Sequence, residues 1–278
     1  MEKIKQPYFT IDELDGIETY QFAYVTYTIE NHHLSLYLDR QQKKNAINEI
    51  VKRELGFLLS YARSSQYVWT VSIQAKGPVF SAGADLGTFL GKKDLDSGST
   101  VPVESTEIII GDLFKYLCKP SLAIIEGDVY AGGFLLFSMC SHVFSLPSNR
   151  FTLSEVHRGI WPFQVMEALL ANLPDKFVLQ WCMEGETKTA KDLYEKGMID
   201  RLITTDKLED EKREWVDRLH KGAPSAIQMG LSAFQQLSDV NPNDRHAFLN
   251  QCLQQCVQSQ NAMEGMMAFR EKRQPNWQ

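Results

Sequence analysis

The chain has 278 residues, 44% hydrophobic, 23% charged and 11% aromatic, the composition of a globular protein with a sizeable core. Its 29 Lys+Arg against 35 Asp+Glu leave a formal charge of −6, the wrong sign for a nucleic-acid protein, whose phosphate-binding face makes the domain basic. The longest near-apolar stretch, Tyr130 to Cys140, is broken by glycines and a serine and is too short for a bilayer, which needs about 18 apolar residues. The opening segment, Met1 to Asp15, lacks the continuous apolar run of a secretory signal. Five cysteines, odd in number and without a Cys-x-x-Cys pair, read as reduced thiols of a cytoplasmic protein.

Ala23–Ile29 and Leu34–Leu38 are β-branched and aromatic runs on either side of Glu30-Asn31-His32-His33, which predicts a hairpin. Apolar residues at Ile47, Ile50, Val51, Leu55, Leu58, Leu59 and Ala62 predict a helix over 47–63. Val68–Ile73 predicts a strand ended by Lys76-Gly77-Pro78, and the polar stretch 91–106 reads as a mobile surface excursion. A helix is predicted over 107–117. The fully apolar run Leu122–Ile125 has the form of a buried parallel strand, and Phe134–Met139 predicts another helix. Beyond residue 203 helical patterns at 215–220, 225–237 and 246–270 occur with no strand. The expected division is an α/β core over 1–203 and a helical region over 204–278.

Three segments carry candidate chemistry. In Val79–Leu86 the small residues Ala82, Gly83 and Ala84 follow a strand and leave backbone N–H groups uncovered, although such turns also merely connect elements. Asp85 suits fixing this turn better than acting as a base. In Glu126–Phe134, Ala131-Gly132-Gly133 open a helix whose free N–H groups suit a developing negative charge; close helix–strand packing would use the same glycines. In Phe151–Val156, Glu155 stands between apolar neighbours, where partial burial raises a carboxyl toward general acid/base use. The alternative is a surface glutamate in a first helical turn capped by Ser154.

Other candidates are weaker. His32, His33 and His157 lack partners at metal-ligand spacing, so no metal is expected. Trp161-Pro162-Phe163 closes a pocket or packs in the core. Cys252 and Cys256, at i and i+4, read as buried thiols. Ser138 and Ser141 have no evident His–Asp partners, which disfavours a serine hydrolase.

Together the three segments resemble the crotonase superfamily, the enoyl-CoA hydratase/isomerase family, from about Tyr24 to Arg273. Arg40–Ile47 is similar to the family's Arg-Pro-x-x-x-Asn-Ala-Leu segment, with Gln41 in place of proline. That likeness implies that Arg40, Lys43, Lys44 and Ala46 line the CoA nucleotide, the cations meeting its phosphates. Ser81–Leu86 resembles the first oxyanion turn, implying the Ala84 N–H as one donor with Ala82, Asp85 and Leu86 beside the substrate. Gly127–Gly133 resembles the second turn, implying the Gly132 N–H as the other donor, with Gly133 next to it. Thr189–Asp200 is similar to the helix before the tail. Glu264–Pro275 is similar to the C-terminal signature, where Phe269 and Lys272 would reach a neighbouring subunit's CoA.

The resemblance implies an α/β fold, the crotonase (ClpP-like) spiral of β-β-α turns, with a C-terminal helical trimerisation region. It implies an acyl-CoA substrate, no separately held cofactor, no nucleic-acid or membrane partner, and a homotrimer or dimer of trimers. Hydratases of the family use two glutamates; their positions here are Leu135 and Glu155, twenty residues apart as the family pattern requires. Leu135 and Trp161 then border the acyl group. A lone glutamate at the second position resembles Δ3,Δ2-enoyl-CoA isomerases and disfavours dienoyl-CoA isomerases. Hydration by Glu155 alone, decarboxylation, and a non-catalytic acyl-CoA-binding or assembly protein are the rivals.

Overall fold

The computed structural model describes residues 8–89 and 98–278. After a short helix α1 (Ile11–Asp15), strands β1 (Val25–Glu30) and β2 (His33–Leu38) pair antiparallel. Asn31 and His32 both have positive φ, the requirement of a two-residue type I′ hairpin turn. Helix α2 (Glu49–Ser64) starts where the Asn48 side chain accepts from the Val51 N–H. Its buried Glu54 accepts from the N–H groups of Ala23, Tyr24 and Val25, which ties α2 to the start of β1. Strand β3 (Thr70–Ala75) turns at Gly77 into β4 (Val79–Ser81), which leads to α3 (Leu86–Phe89).

Helix α4 (Ile110–Leu113) precedes β5 (Ser121–Ile125) and β6 (Asp128–Tyr130); β7 (His142–Ser145) and β8 (Arg150–Thr152) follow. Next come α5 (Phe163–Leu170), α6 (Asp175–Glu184), β9 (Thr187–Thr189), α7 (Ala190–Glu195) and β10 (Arg201–Leu202). The chain ends in α8 (Leu208–His220), α9 (Pro224–Gln236), α10 (Arg245–Val257) and α11 (Gln260–Glu271).

The strands form two sheets, in the orders β1-β2-β3-β5-β7-β10 and β4-β6-β8-β9. The chain passes from the first sheet to the second three times, as β3 to β4, β5 to β6 and β7 to β8, which is the expected spiral. Its corners touch: a Cβ on Gly127, between β5 and β6, would lie 2.6 Å from the Pro78 carbonyl oxygen, so only glycine fits there. In the second sheet β4, β6 and β8 are parallel, with a register shift between Val79 and Ser81, so three chain segments leave it at the same C-terminal strand ends. Behind those ends lies an aromatic cluster of Phe80, Phe134, Phe137, Phe151 and Trp181, all fully buried. Helix α8 covers part of the first sheet, where Trp215 packs with Leu122, Ile124 and Phe144.

Several sequence expectations are corrected. Residues 90–97 of the polar excursion lie outside the described residues. The part from 98 to 106 is tied down: Thr100 N–H donates to the Gln21 carbonyl, Ser105 N–H to that of Tyr8, and Arg53 pairs with Glu104 at 3.0 Å. The helix expected over 107–117 is α-helical only in α4, and the one over 134–139 is a 3-10 helix spanning Ala131–Leu136. The pattern at 246–270 is two helices, broken at Gln258 and restarted by the Ser259 cap. Cys252 and Cys256 are half-buried, on a helix with no buried residue at all.

Candidate active site

The first turn, residues 81–85, is held by the loop around Asn45. Asn45 Nδ2 donates to the carbonyls of Lys76 and Val79, while its Oδ1 accepts from the Arg40 N–H. Ala82 N–H donates to the Lys44 carbonyl. Ile47 N–H donates to the Gly83 carbonyl at 2.8 Å and the Ile47 carbonyl accepts from Asp85 N–H at 2.8 Å. That parallel bridge uses the groups on either side of Ala84, so the Ala84 N–H is turned away from it.

The second turn follows β6 in the same way. Ala131 has φ of 51° and starts the 3-10 helix, whose first N–H groups, Gly132 included, have no partner within the helix. The two turns touch. A Cβ on Gly83, itself at φ 82°, would lie 2.8 Å from the Gly132 nitrogen, and a Cβ on Gly132 would lie 3.4 Å from the Ala84 nitrogen. The Ala84 and Gly132 nitrogens are thus brought near one another by backbone contacts, and two N–H groups so placed can together bind one oxygen. Gly133 serves packing instead, because its missing Cβ lets the helix approach the Ser81 carbonyl oxygen, 2.9 Å from where that atom would be.

Glu155 follows β8, the third of these parallel strands, in a 3-10 turn over Glu155–Arg158. Burial holds its carboxyl above the usual range; its own backbone N–H and the Arg158 guanidinium pull partly against that. Its Oε2 is buried and makes no hydrogen bond. The Ser154 cap of the alternative reading is absent, and the Ser154 hydroxyl accepts from Arg158 at 2.5 Å. His157 Nε2 donates to the Glu184 carbonyl at 3.0 Å, which joins the turn to the end of α6. The Cys182 thiol is pushed up to about 11 by burial and secondarily by Glu155's charge. Arg158 and Cys182 are neighbours of the carboxylate that the sequence reading missed; the i, i+3 spacing of Arg158 was the available signal.

Leu135, on the 3-10 helix with Gly132, is 8% exposed, so no carboxylate stands at that position. Asp85 fixes its turn as expected: its Oδ1 accepts from the Gly87 N–H and its Oδ2 from Arg40 at 2.6 Å, an ion pair that holds its carboxyl below the usual range. Arg40 is corrected in turn. It is 4% exposed, donates to the Ala46 carbonyl and lies over the Tyr24 ring, so its guanidinium braces the loop and presents no open phosphate site. Lys43 and Lys44 beside it are exposed, Ala46 is buried, Ala82 half-buried, and Leu86 exposed. Trp161 packs against the core while Phe163 is exposed. Phe269 and Lys272 are not brought to the strand ends; they sit on α11 and its cap, and α11 packs on α9 and α10.

Among the described residues there is no metal-binding cluster of His, Cys, Asp or Glu, and no helix is long and apolar enough to cross a membrane. The sequence profile of the enoyl-CoA hydratase/isomerase family matches residues 28–278. Carnitinyl-CoA dehydratase of Proteus mirabilis is 28% identical over 252 residues, covering 88% of this chain and 94% of its own. The mitochondrial enoyl-CoA hydratase domain-containing protein 3 of Rattus norvegicus is 23% identical over 243 residues, covering 87% of this chain and 80% of its own. In structure, an enoyl-CoA hydratase from Mycobacterium tuberculosis superposes with a TM-score of 0.80 at 22% identity, over 92% of this chain and 99% of that one. This last likeness is one of fold.

Proposed function

Because the chain belongs to the enoyl-CoA hydratase/isomerase family, we propose that it moves a double bond within an acyl-CoA thioester, with Glu155 as the single proton shuttle. The thioester oxygen would lie between the Ala84 and Gly132 N–H groups. Glu155 would take a proton from C2 of a 3-enoyl thioester. The electron pair would spread over the dienolate, its negative charge held at the thioester oxygen, and the same carboxyl would return the proton at C4 to give the conjugated 2-enoyl ester. The supporting observation is Leu135: hydration needs one group to activate water and another to protonate carbon, and an apolar side chain stands where a second carboxylate would serve.

The experiment is deuterium exchange at C2 with Glu155→Gln. Exchange should fall by about 10²–10⁴-fold while CoA-ester binding persists, and unchanged exchange refutes the reading. A second reading, hydration by Glu155 alone, is favoured by the names of the relatives, hydratases and a dehydratase. Supplying 3-enoyl-CoA and trans-2-enoyl-CoA separately decides between them. Binding without turnover of either would point to a non-catalytic acyl-CoA protein.

With Arg40 engaged inside the fold, the cations for the CoA phosphates reduce to Lys43, Lys44 and a partner's Lys272. A trimer, or a pair of trimers, is supported by the exposed apolar side chains of Leu253, Met263, Met266 and Phe269 on α10 and α11. The scattered cysteines support a cytoplasmic place, which the mitochondrial relative does not share.

A further inference from the structure

The last turn of α6 reaches both halves of the site. Trp181, fully buried, packs edge-on against Phe134 with ring centroids 5.3 Å apart, and Phe134 stands two residues after Gly132 on the same 3-10 helix. Cys182, the next residue, is close enough to Glu155 for the carboxylate charge to act on its thiol. The helix ends at Gly185, whose φ of 66° is the left-handed cap that glycine favours and whose N–H donates to the Trp181 carbonyl at 2.9 Å. The Trp181 indole N–H donates past the cap to the Glu186 carbonyl at 2.8 Å, so the cap is held on both sides.

That cap is the seat of the Glu155 turn. A Cβ on Gly185 would lie 2.8 Å from Val156 Cγ1 and 2.9 Å from His157 Cε1 and Nε2, too close for either to stay where it is. Neither neighbour yields freely. Val156 Cγ1 is one bond from a stiff, β-branched Cβ, so its displacement passes to the backbone next to Glu155. The His157 ring is held by its bond to the Glu184 carbonyl. We propose that Gly185 is a positioning residue: its bare Cα lets the turn sit down on α6, and so sets the Glu155 carboxyl in its place relative to the Ala84 and Gly132 N–H groups. This role presupposes that Glu155 is the proton shuttle. A side chain at 185 would lift the turn away from α6, while the turns after β4 and β6 stay where they are.

The test sets Gly185→Ala against Gly197→Ala. Gly197 has φ of 83° with nothing within 4 Å of a Cβ, so alanine there meets backbone strain of the same kind and no neighbour. Both full-length variants are compared with the parent in C2 deuterium exchange of a 3-enoyl-CoA, in calorimetric binding of butanoyl-CoA, which has no double bond to move, and in urea unfolding. Gly185→Ala should slow exchange about 10–100-fold and change butanoyl-CoA affinity by less than about twofold, the pattern expected when a catalytic group is misplaced by about 1 Å. Gly197→Ala should lose stability and keep exchange. Unchanged exchange in Gly185→Ala, equal slowing in both variants, or a loss of affinity as large as the loss of exchange overturns the proposal. If Gly185→Ala does not fold, His157→Ala takes its place, since it frees the turn from the Glu184 carbonyl with Gly185 intact. It should slow exchange about threefold or more, and His157→Gln, whose amide can donate to the same carbonyl, should restore it; unchanged exchange in that folded variant overturns the proposal. Glu155→Gln runs alongside. If it retains exchange, the proton shuttle and the positioning role fall together; if it stops exchange while Gly185→Ala keeps it, the positioning role alone falls.

Discussion

The two halves of the site are built by different means. The proposed oxyanion space is backbone: the turns that would supply its donors are fixed by the Ile47–Ala84 bridge, by Asn45 and by contacts that exclude a Cβ at Gly83. The acid/base half is one side chain on a four-residue 3-10 turn, joined to α6 through His157. The first half tolerates no change of shape, and its position is settled by covalent geometry and close packing. The second is tuned by what surrounds a carboxyl: burial, its own N–H, and Arg158. Rigidity and tunability have been placed after separate strands of one sheet, at the same strand ends.

The largest expected effect comes from filling the rigid half. Gly132→Val puts atoms between the two donors, and turnover should fall by about 10²–10³-fold, as when an oxyanion donor is lost elsewhere. Its neighbour sharpens the comparison. Gly133→Ala forces a Cβ to 2.9 Å from the Ser81 carbonyl oxygen, and should cost about 1–3 kcal/mol of stability through overpacking. Urea unfolding and steady-state kinetics on both variants separate the two roles. If Gly132→Val unfolds the protein while Gly133→Ala spares it, the assignment of the two glycines is reversed.

Arg40→Gln attacks the scaffold under the first turn. Removing one partner of this pair, whose Arg40 side chain is buried and whose Asp85 is half-buried, should cost about 1–3 kcal/mol of unfolding free energy at neutral pH, read by urea titration. The pH dependence has a definite sign. The Asp85 carboxyl is held below its usual range, so its stabilisation is present above that range and lost as the pH falls through the depressed value. The variant should lack that acid-side loss of stability. A variant as stable as the parent at neutral pH would mean that Arg40 does not brace the loop.

The glycines at 83, 127 and 133 were legible in the sequence because close backbone approach admits almost no other residue there, and their spacing after apolar strands marked the strand ends. Glu155 was legible as a carboxylate among apolar neighbours. The role of Arg40 was not: phosphate binding and an internal pair with Asp85 ask for the same residue, and only the fold shows a guanidinium 4% exposed. Nor was the 3-10 form of residues 131–136, since apolar content in six residues does not distinguish helix types and a positive φ at Ala131 leaves no trace in composition.

The tunable half predicts a smaller effect. Glu155 must be ionised to accept a proton, and burial raises its pKa, so activity should fall on the acid side at a pH above the usual carboxylate range. Arg158→Gln removes a charge that favours the ionised form, so the acid limb should move to higher pH, with kcat at high pH little changed. Linkage runs the same way: folding favours the protonated carboxyl, so its contribution is present at low pH and fades as pH rises through the raised value. An acid limb that stays put in Arg158→Gln, or moves down, would mean that Arg158 does not act on this carboxyl.

The smallest effect on the single chain belongs to the tail. Phe269 is 89% exposed, so Phe269→Asp should change the unfolding free energy of an isolated chain by no more than about 0.5 kcal/mol, the range of ordinary surface substitutions. The same exposure is why the residue is informative. A large aromatic left in water on α11, near the exposed Met266 and Met267, gains by being covered, and a charge there would oppose that cover. Sedimentation velocity should therefore show Phe269→Asp shifted toward the monomer, and CoA-ester affinity should fall with it if a neighbour's Phe269 and Lys272 complete the nucleotide site. Dissociation without loss of affinity would keep the assembly and remove the shared site. Unchanged assembly and affinity together would leave the strand ends around Glu155, within one chain, as the whole of the active site.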